Sequence, residues 1–74
     1  MRDFMQEKNF LTLREREIFN LLVNNLDTEE IAEKLGISSK TVRNHISNVI
    51  QKLGLRSRSQ ALLELIKMKE IKLK

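Results

Sequence analysis

Asp27-Thr28-Glu29-Glu30-Ile31-Ala32-Glu33-Lys34-Leu35-Gly36-Ile37-Ser38-Ser39-Lys40-Thr41-Val42-Arg43-Asn44-His45-Ile46-Ser47-Asn48-Val49-Ile50-Gln51-Lys52-Leu53 contains two helix starts and one stop. Asp27 followed three residues later by Glu30 has the capping-box spacing, in which each side chain satisfies an otherwise orphaned backbone N–H at the mouth of a helix. Ile31, Ala32 and Leu35 then supply a short inward face. Gly36 ends this segment by admitting the left-handed conformation that closes a helix. Ser38 caps a longer helix in which Val42, Ile46, Val49, Ile50 and Leu53 recur at i, i+4, i+7, i+8 and i+11, the period of one buried helical stripe. Two helices joined by a glycine-containing turn of three residues form a helix-turn-helix.

Outward from this unit the same signals repeat. Upstream, Thr12-Leu13-Arg14-Glu15 is a capping box for a first helix from about Leu13 to Asn24, with Ile18, Leu21 and Leu22 as its buried stripe and Asn25 as its left-handed end. Downstream, Gly54 closes the third helix, and Ser57-Arg58-Ser59-Gln60 opens a fourth that extends to about Glu70. Residues 1–10 have no clear period and read as a flexible arm, with Phe4 and Phe10 as candidates to tuck onto the domain. Four helices, short links and no alternating pattern of strand length predict an all-α domain.

Composition narrows the function. The 74 residues fit one small domain near the lower limit for folding without disulfides or metal. There is no Cys, which removes disulfides and thiolate metal sites and suits a reducing cytoplasm. His45 is the single His, with no second ligand of its kind, and it stands two residues from Ser47, so the two point in different directions and form no nucleophile–base pair. No phosphate-cradling glycine loop or triad motif is present, so neither an enzyme nor a cofactor site is expected. The longest apolar runs are too short for a signal peptide or a span. A membrane-surface peptide is disfavoured by the neutral polar residues of the third helix.

The net charge of +4 is unevenly placed. From Lys34 to Leu63 there are Lys34, Lys40, Arg43, Lys52, Arg56 and Arg58 and no acid, whereas carboxylates gather before and after. Turning Val42, Ile46 and Val49 toward the core sends Lys40, Asn44, Ser47 and Gln51 outward, with Arg43 and Asn48 on the flanks. Arginine matches guanine, and asparagine or glutamine matches adenine, in the major groove of a duplex. An ordinary solvated face instead mixes Glu with Lys, as the first two helices do here. Phosphate contacts are expected from Arg56, Ser57 and Arg58 and from the N-terminal end of the second helix, whose free N–H groups favour an anion. The fourth helix carries Ala61, Leu62, Leu63, Leu65, Ile66, Met68 and Ile71, more apolar surface than one helix needs over a three-helix core. That surplus either faces another chain or completes the monomer's own core.

Leu11-Thr12-Leu13-Arg14-Glu15-Arg16-Glu17, Glu30-Ile31-Ala32-Glu33-Lys34-Leu35, Ile37 to Ile46 and Gln51-Lys52-Leu53-Gly54-Leu55, in this order and spacing, resemble the LuxR-type (NarL/FixJ, GerE-like) DNA-binding domain. The resemblance implies a four-helix domain over residues 11–74, with the helix-turn-helix at about 27–53 and a dimerisation helix at about 58–71. It implies Arg43, Asn44 and Ser47 as base readers, Ser47 standing where some relatives carry a basic residue. Lys40, Thr41, His45, Asn48 and Lys52 would lie near phosphates. It offers Arg58 a second role, an ion pair with Glu15. It implies a homodimer through Leu62, Leu63 and Ile66 on a pseudo-palindromic duplex site, with RNA polymerase as a further partner. The short leader before the domain favours a stand-alone regulator over the excised output domain of a two-component response regulator. A sigma-factor promoter-binding module and a protein-interaction adaptor without DNA affinity are the competing readings.

Overall fold

The computed structural model describes residues 10–73, and residues 1–9 of the expected arm, Phe4 among them, lie outside these. Four helices follow in order, α1 (Leu13–Val23), α2 (Thr28–Leu35), α3 (Ser39–Leu53) and α4 (Arg58–Lys67), with no strand among the described residues. Each begins where a polar side chain replaces the missing intrahelical partner. Thr12 with Glu15 and Asp27 with Glu30 form complete capping boxes, and Ser38 and Ser57 accept from the N–H groups of Thr41 and Gln60. The expected box at Ser57 is only half formed: the Gln60 side chain accepts from the N–H of Arg56, one residue further upstream.

All four helices end by one device. A residue with positive φ reverses the chain, and the N–H of the next residue donates to a carbonyl five positions back: Leu26 to Leu21, Ile37 to Ala32, Leu55 to Ile50 and Glu70 to Leu65. In the turn of the helix-turn-helix the reversing residue is Gly36, at φ 71°; a side chain there would find open space, so it is the backbone angle that calls for glycine.

The core takes the inward residue of every helix. Ile18, Phe19, Ile31, Val42, Val49, Ala61 and Leu65 are inaccessible to water, and Leu11, Leu22, Ala32, Ile46 and Ile71 complete the cluster. Phe10, at the edge of the expected arm, packs against this cluster too. Burial of so many branched and aromatic side chains at roughly 1.5–3 kcal/mol each is what a chain of this length needs to offset its ordering entropy. α3 packs against the three other helices and forms the spine of the domain.

The fourth helix departs from expectation. It stops at Lys67 instead of near Glu70, Lys69 turns the chain at φ 62°, and Glu70 and Ile71 are drawn under α1. The reason is tertiary. Continuing the helix would leave Ile71 in solvent, whereas the reversal buries it to 3% exposure and lets the Glu70 carboxylate reach Arg16, at 3.0 Å.

Candidate nucleic-acid interface

Val42, Ile46 and Val49 anchor α3 from behind, leaving Lys40, Arg43, Asn44, Ser47, Asn48 and Gln51 exposed along the opposite side. Among the described residues, the side chains of Arg43, Asn44 and Ser47 have no intramolecular hydrogen-bond partner or ion pair. Their donors and acceptors therefore remain available. His45 and Thr41 are half-buried at the margins, and the Thr41 hydroxyl lies 2.9 Å from that of Ser38 in the capping turn. Arg56, Ser57 and Arg58 are exposed in the link to α4, so the positive surface continues beyond the helix. The Ser57 hydroxyl already serves as the cap of α4.

Three expected contacts change on this structure. Glu15 does not pair with Arg58. Its carboxylate, 6% exposed as a residue, accepts from Lys52 Nζ at 2.7 Å and from the N–H of Thr12 at 2.9 Å. Lys52, expected near phosphates, is engaged within the molecule: its ammonium also donates to the Phe10 carbonyl at 3.3 Å and stands 5.2 Å above the Phe10 ring. It ties the last turn of α3 to the first turn of α1. The N-terminal end of α2 is likewise unsuited to a phosphate, since Asp27 and Glu30 fill it and Glu29 adds a third carboxylate. The start of α3, with neutral Ser38 and no acid in its first turn, has no such barrier.

The Glu15 carboxyl shows how this tie is balanced. Burial raises its pKa, but hydrogen bonds from Lys52 and from the Thr12 N–H, with the Lys52 charge, together hold it below the ordinary value. The sequence had shown Glu15 as the third residue of a capping box. That it also crosses to α3 is a contact between residues 37 apart, for which no local pattern exists. Arg16 and Glu70 are a second such pair, 54 residues apart, with Glu70 almost fully buried.

On α4 the expected interface residues divide. Leu63 (64% exposed) and Ile66 (36%) face outward, joined by Met68, whereas Leu62 is half-buried and packed against the core. Among the described residues no helix is long and apolar enough to cross a membrane, and no cluster of three potential ligands is placed to hold a metal.

The chain is similar to proteins of one kind. The family model described as bacterial regulatory proteins, luxR family, matches residues 9–65. Spore germination protein GerE of Bacillus subtilis (strain 168) is 60% identical over 68 residues, 92% of each chain. Transcriptional regulatory protein DesR of the same organism is 44% identical over 62 residues, 84% of this chain but 31% of its own length. A solved structure of the transcription factor GerE superposes with a TM-score of 0.87 at 59% identity, covering 89% of this chain and 98% of that one. Matching the family over most of its length, and built around a helix-turn-helix whose second helix presents a carboxylate-free polar face, the chain belongs to the LuxR family of bacterial regulatory proteins and is a DNA-binding transcriptional regulator, not an enzyme.

Proposed function

We propose that the protein binds a pseudo-palindromic duplex site as a homodimer, with α3 of each subunit in the major groove. Arg43, Asn44 and Ser47 read base edges, while Lys40, Thr41, His45, Asn48, Arg56, Ser57 and Arg58 engage flanking phosphates. The observation that carries this reading is the contrast across α3: three fully or nearly fully buried aliphatic residues behind, and unpaired, non-acidic polar groups in front. Leu63 and Ile66 form the centre of the dimer contact, with Leu62 supporting them from the core. RNA polymerase is the partner that a regulator seated beside a promoter meets, and the cytoplasm is where it acts. The similarity to a spore germination protein points to genes of a spore programme.

Selection from a random duplex pool tests the reading. It should enrich an inverted repeat whose half-sites lie about one helical turn, roughly 34 Å, apart. Enrichment of single asymmetric sites, or of nothing, would contradict it. On the enriched site Arg43→Ala should weaken binding by about 1–3 kcal/mol and relax one base preference, whereas Arg58→Ala should weaken all sequences alike and lower the salt slope by about one ion. Competition titrations at several salt concentrations separate the two. Ile66→Asp should shift the protein to monomers in sedimentation and reduce affinity for the full site more than for a half-site, because a charge in an apolar contact lacks a partner. An unchanged sedimentation profile would remove α4 from the interface.

A further inference from the structure

The end of the chain is held by a ridge of α1 that reads backbone as much as side chain. Arg16, Asn20 and Asn24, spaced four apart, stand on one face of the helix. Arg16 Nη1 donates to the Glu70 carbonyl at 2.6 Å, Asn20 Oδ1 accepts from the Lys72 N–H at 3.1 Å, and Asn24 Nδ2 donates to the Lys72 carbonyl at 3.4 Å. Ile71 is the apolar anchor between them. The Glu70 carboxylate adds a charge lock: Oε1 lies 3.0 Å from Arg16 Nη2, outside hydrogen-bond geometry, and Oε2 accepts from the Phe10 N–H at 3.2 Å. These are the components of a peptide-recognition site, with main-chain hydrogen bonds for hold and one buried side chain for register.

The joint that delivers the tail to this site conflicts with its own sequence. Elsewhere in the chain the left-handed closing residue is Asn25, Gly36 or Gly54, and the residue after it is a half-buried Leu26, Ile37 or Leu55. At the end of α4 the closing residue is Lys69 and the next is Glu70. A lysine gains nothing from a left-handed backbone, and residues 68–73 contain no glycine or proline to stop a helix. Local preference therefore favours straightening the joint, while the tail's contacts favour retaining the ridge. Both are met at once if the tail is placed on the ridge of a second copy, since a short strained hinge between an element and its docking site favours exchange.

We infer that the α1 ridge of Arg16, Asn20 and Asn24 receives the residue 70–72 tail of a second copy of this chain in the dimer, exchanged reciprocally through a joint that opens at Met68-Lys69. The inference rests on the homodimer proposed above, and Leu63, Ile66 and Met68, exposed beside the joint, supply apolar surface on which the two copies meet. Exchange keeps the contacts of residues 70–72 with Arg16, Asn20, Asn24 and Phe10 chemically unchanged, and it relieves Lys69 while giving up the bond from the Glu70 N–H to the Leu65 carbonyl that closes α4.

Charge reversal distinguishes exchange from the intramolecular arrangement. In full-length Arg16→Glu and Glu70→Arg, taken singly, like charges face each other in every arrangement, and each variant should lose about a hundredfold in its folded-to-unfolded ratio. Mixed in equal amounts, the two variants form a heterodimer in which exchange restores opposite charges at both ridges. Thermal unfolding of the mixture should then return close to wild type, as should the doubly substituted chain alone. Recovery in the double variant without recovery in the mixture would overturn the exchange while leaving the dimer standing. A wild-type protein that sediments as a monomer would overturn both. A second readout is independent of stability. The chain has no Cys, so Asn24→Cys and Lys72→Cys, prepared separately and mixed under oxidising conditions, should form a crosslinked heterodimer well above the yield of either variant alone. Equal yields would refute the inference.

Discussion

Lys52→Met should lower the stability of the domain by about 2–3 kcal/mol at neutral pH while leaving the outer face of α3 intact. Removing one member of a wholly buried ion pair costs about 3–5 kcal/mol, and the figure is reduced here because the lysine head is partly in water, at 36% exposure against 8% for Glu15. The sign with pH follows from the direction of the Glu15 shift. Its folded pKa is below the ordinary value of 4.5, so its contribution is complete above that value and is lost as pH falls through the folded pKa. In the variant, burial dominates, the carboxyl titrates upward, and acidification relieves the unpaired charge. Wild-type and variant stabilities, measured by denaturant titration, should therefore converge on going from pH 7 to below about 4. A constant gap across that range would show that Lys52 acts by packing alone.

The second large effect lies on the opposite side of the helix. Ser47→Glu or Asn44→Glu should leave thermal stability within about 0.5 kcal/mol, since both positions are exposed and without internal partners. Either should weaken duplex binding by several kcal/mol, because a carboxylate facing acceptor-rich base edges and phosphates lacks any compensating donor. Ser47→Gln, which keeps a neutral hydrogen-bonding group, should alter the preferred base more than the affinity. Binding isotherms on the selected site, with melting curves of the same samples, test the pair of outcomes. A loss of folding that accompanies the loss of binding would place these residues in the structure and not in the interface.

The stability change on one face and the affinity change on the other come from a single helix, and the sequence shows unequal parts of it. Val42, Ile46 and Val49 state their burial through periodicity, and Asp27, Gly36, Ser38 and Gly54 state the helix ends through chemistry that acts within a few residues. Those positions behave as they read. Lys52 was legible as a positive charge on the last turn of α3, but not as the partner of a carboxylate on α1. That contact depends on how two helices cross, which local spacing does not encode. The same holds for Arg58, whose supposed partner Glu15 is taken by a closer lysine, and for the N-terminal end of α2, where the acids that make a good cap also repel a phosphate.

The end of α4 is the instructive difference. Local propensity runs the helix on toward Glu70, and the structure stops it at Lys67 because burying Ile71 and pairing Glu70 with Arg16 outweighs the cost of a left-handed lysine. Leu62, expected at an interface, is half-buried against the monomer core, while Leu63, Ile66 and Met68 are exposed. The surplus of apolar residues on α4 was legible; its division between core and surface was not.

Methylation protection at guanine N7 addresses the role of α3 most directly, since that atom is exposed in the major groove and is an acceptor matched to arginine. With the selected duplex bound, guanines in both half-sites should be protected, and Arg43→Ala should restore reactivity at one symmetry-related guanine in each. Full N7 reactivity throughout a saturated complex, with Arg43→Ala binding as tightly as wild type, would show that the helix does not lie in the groove.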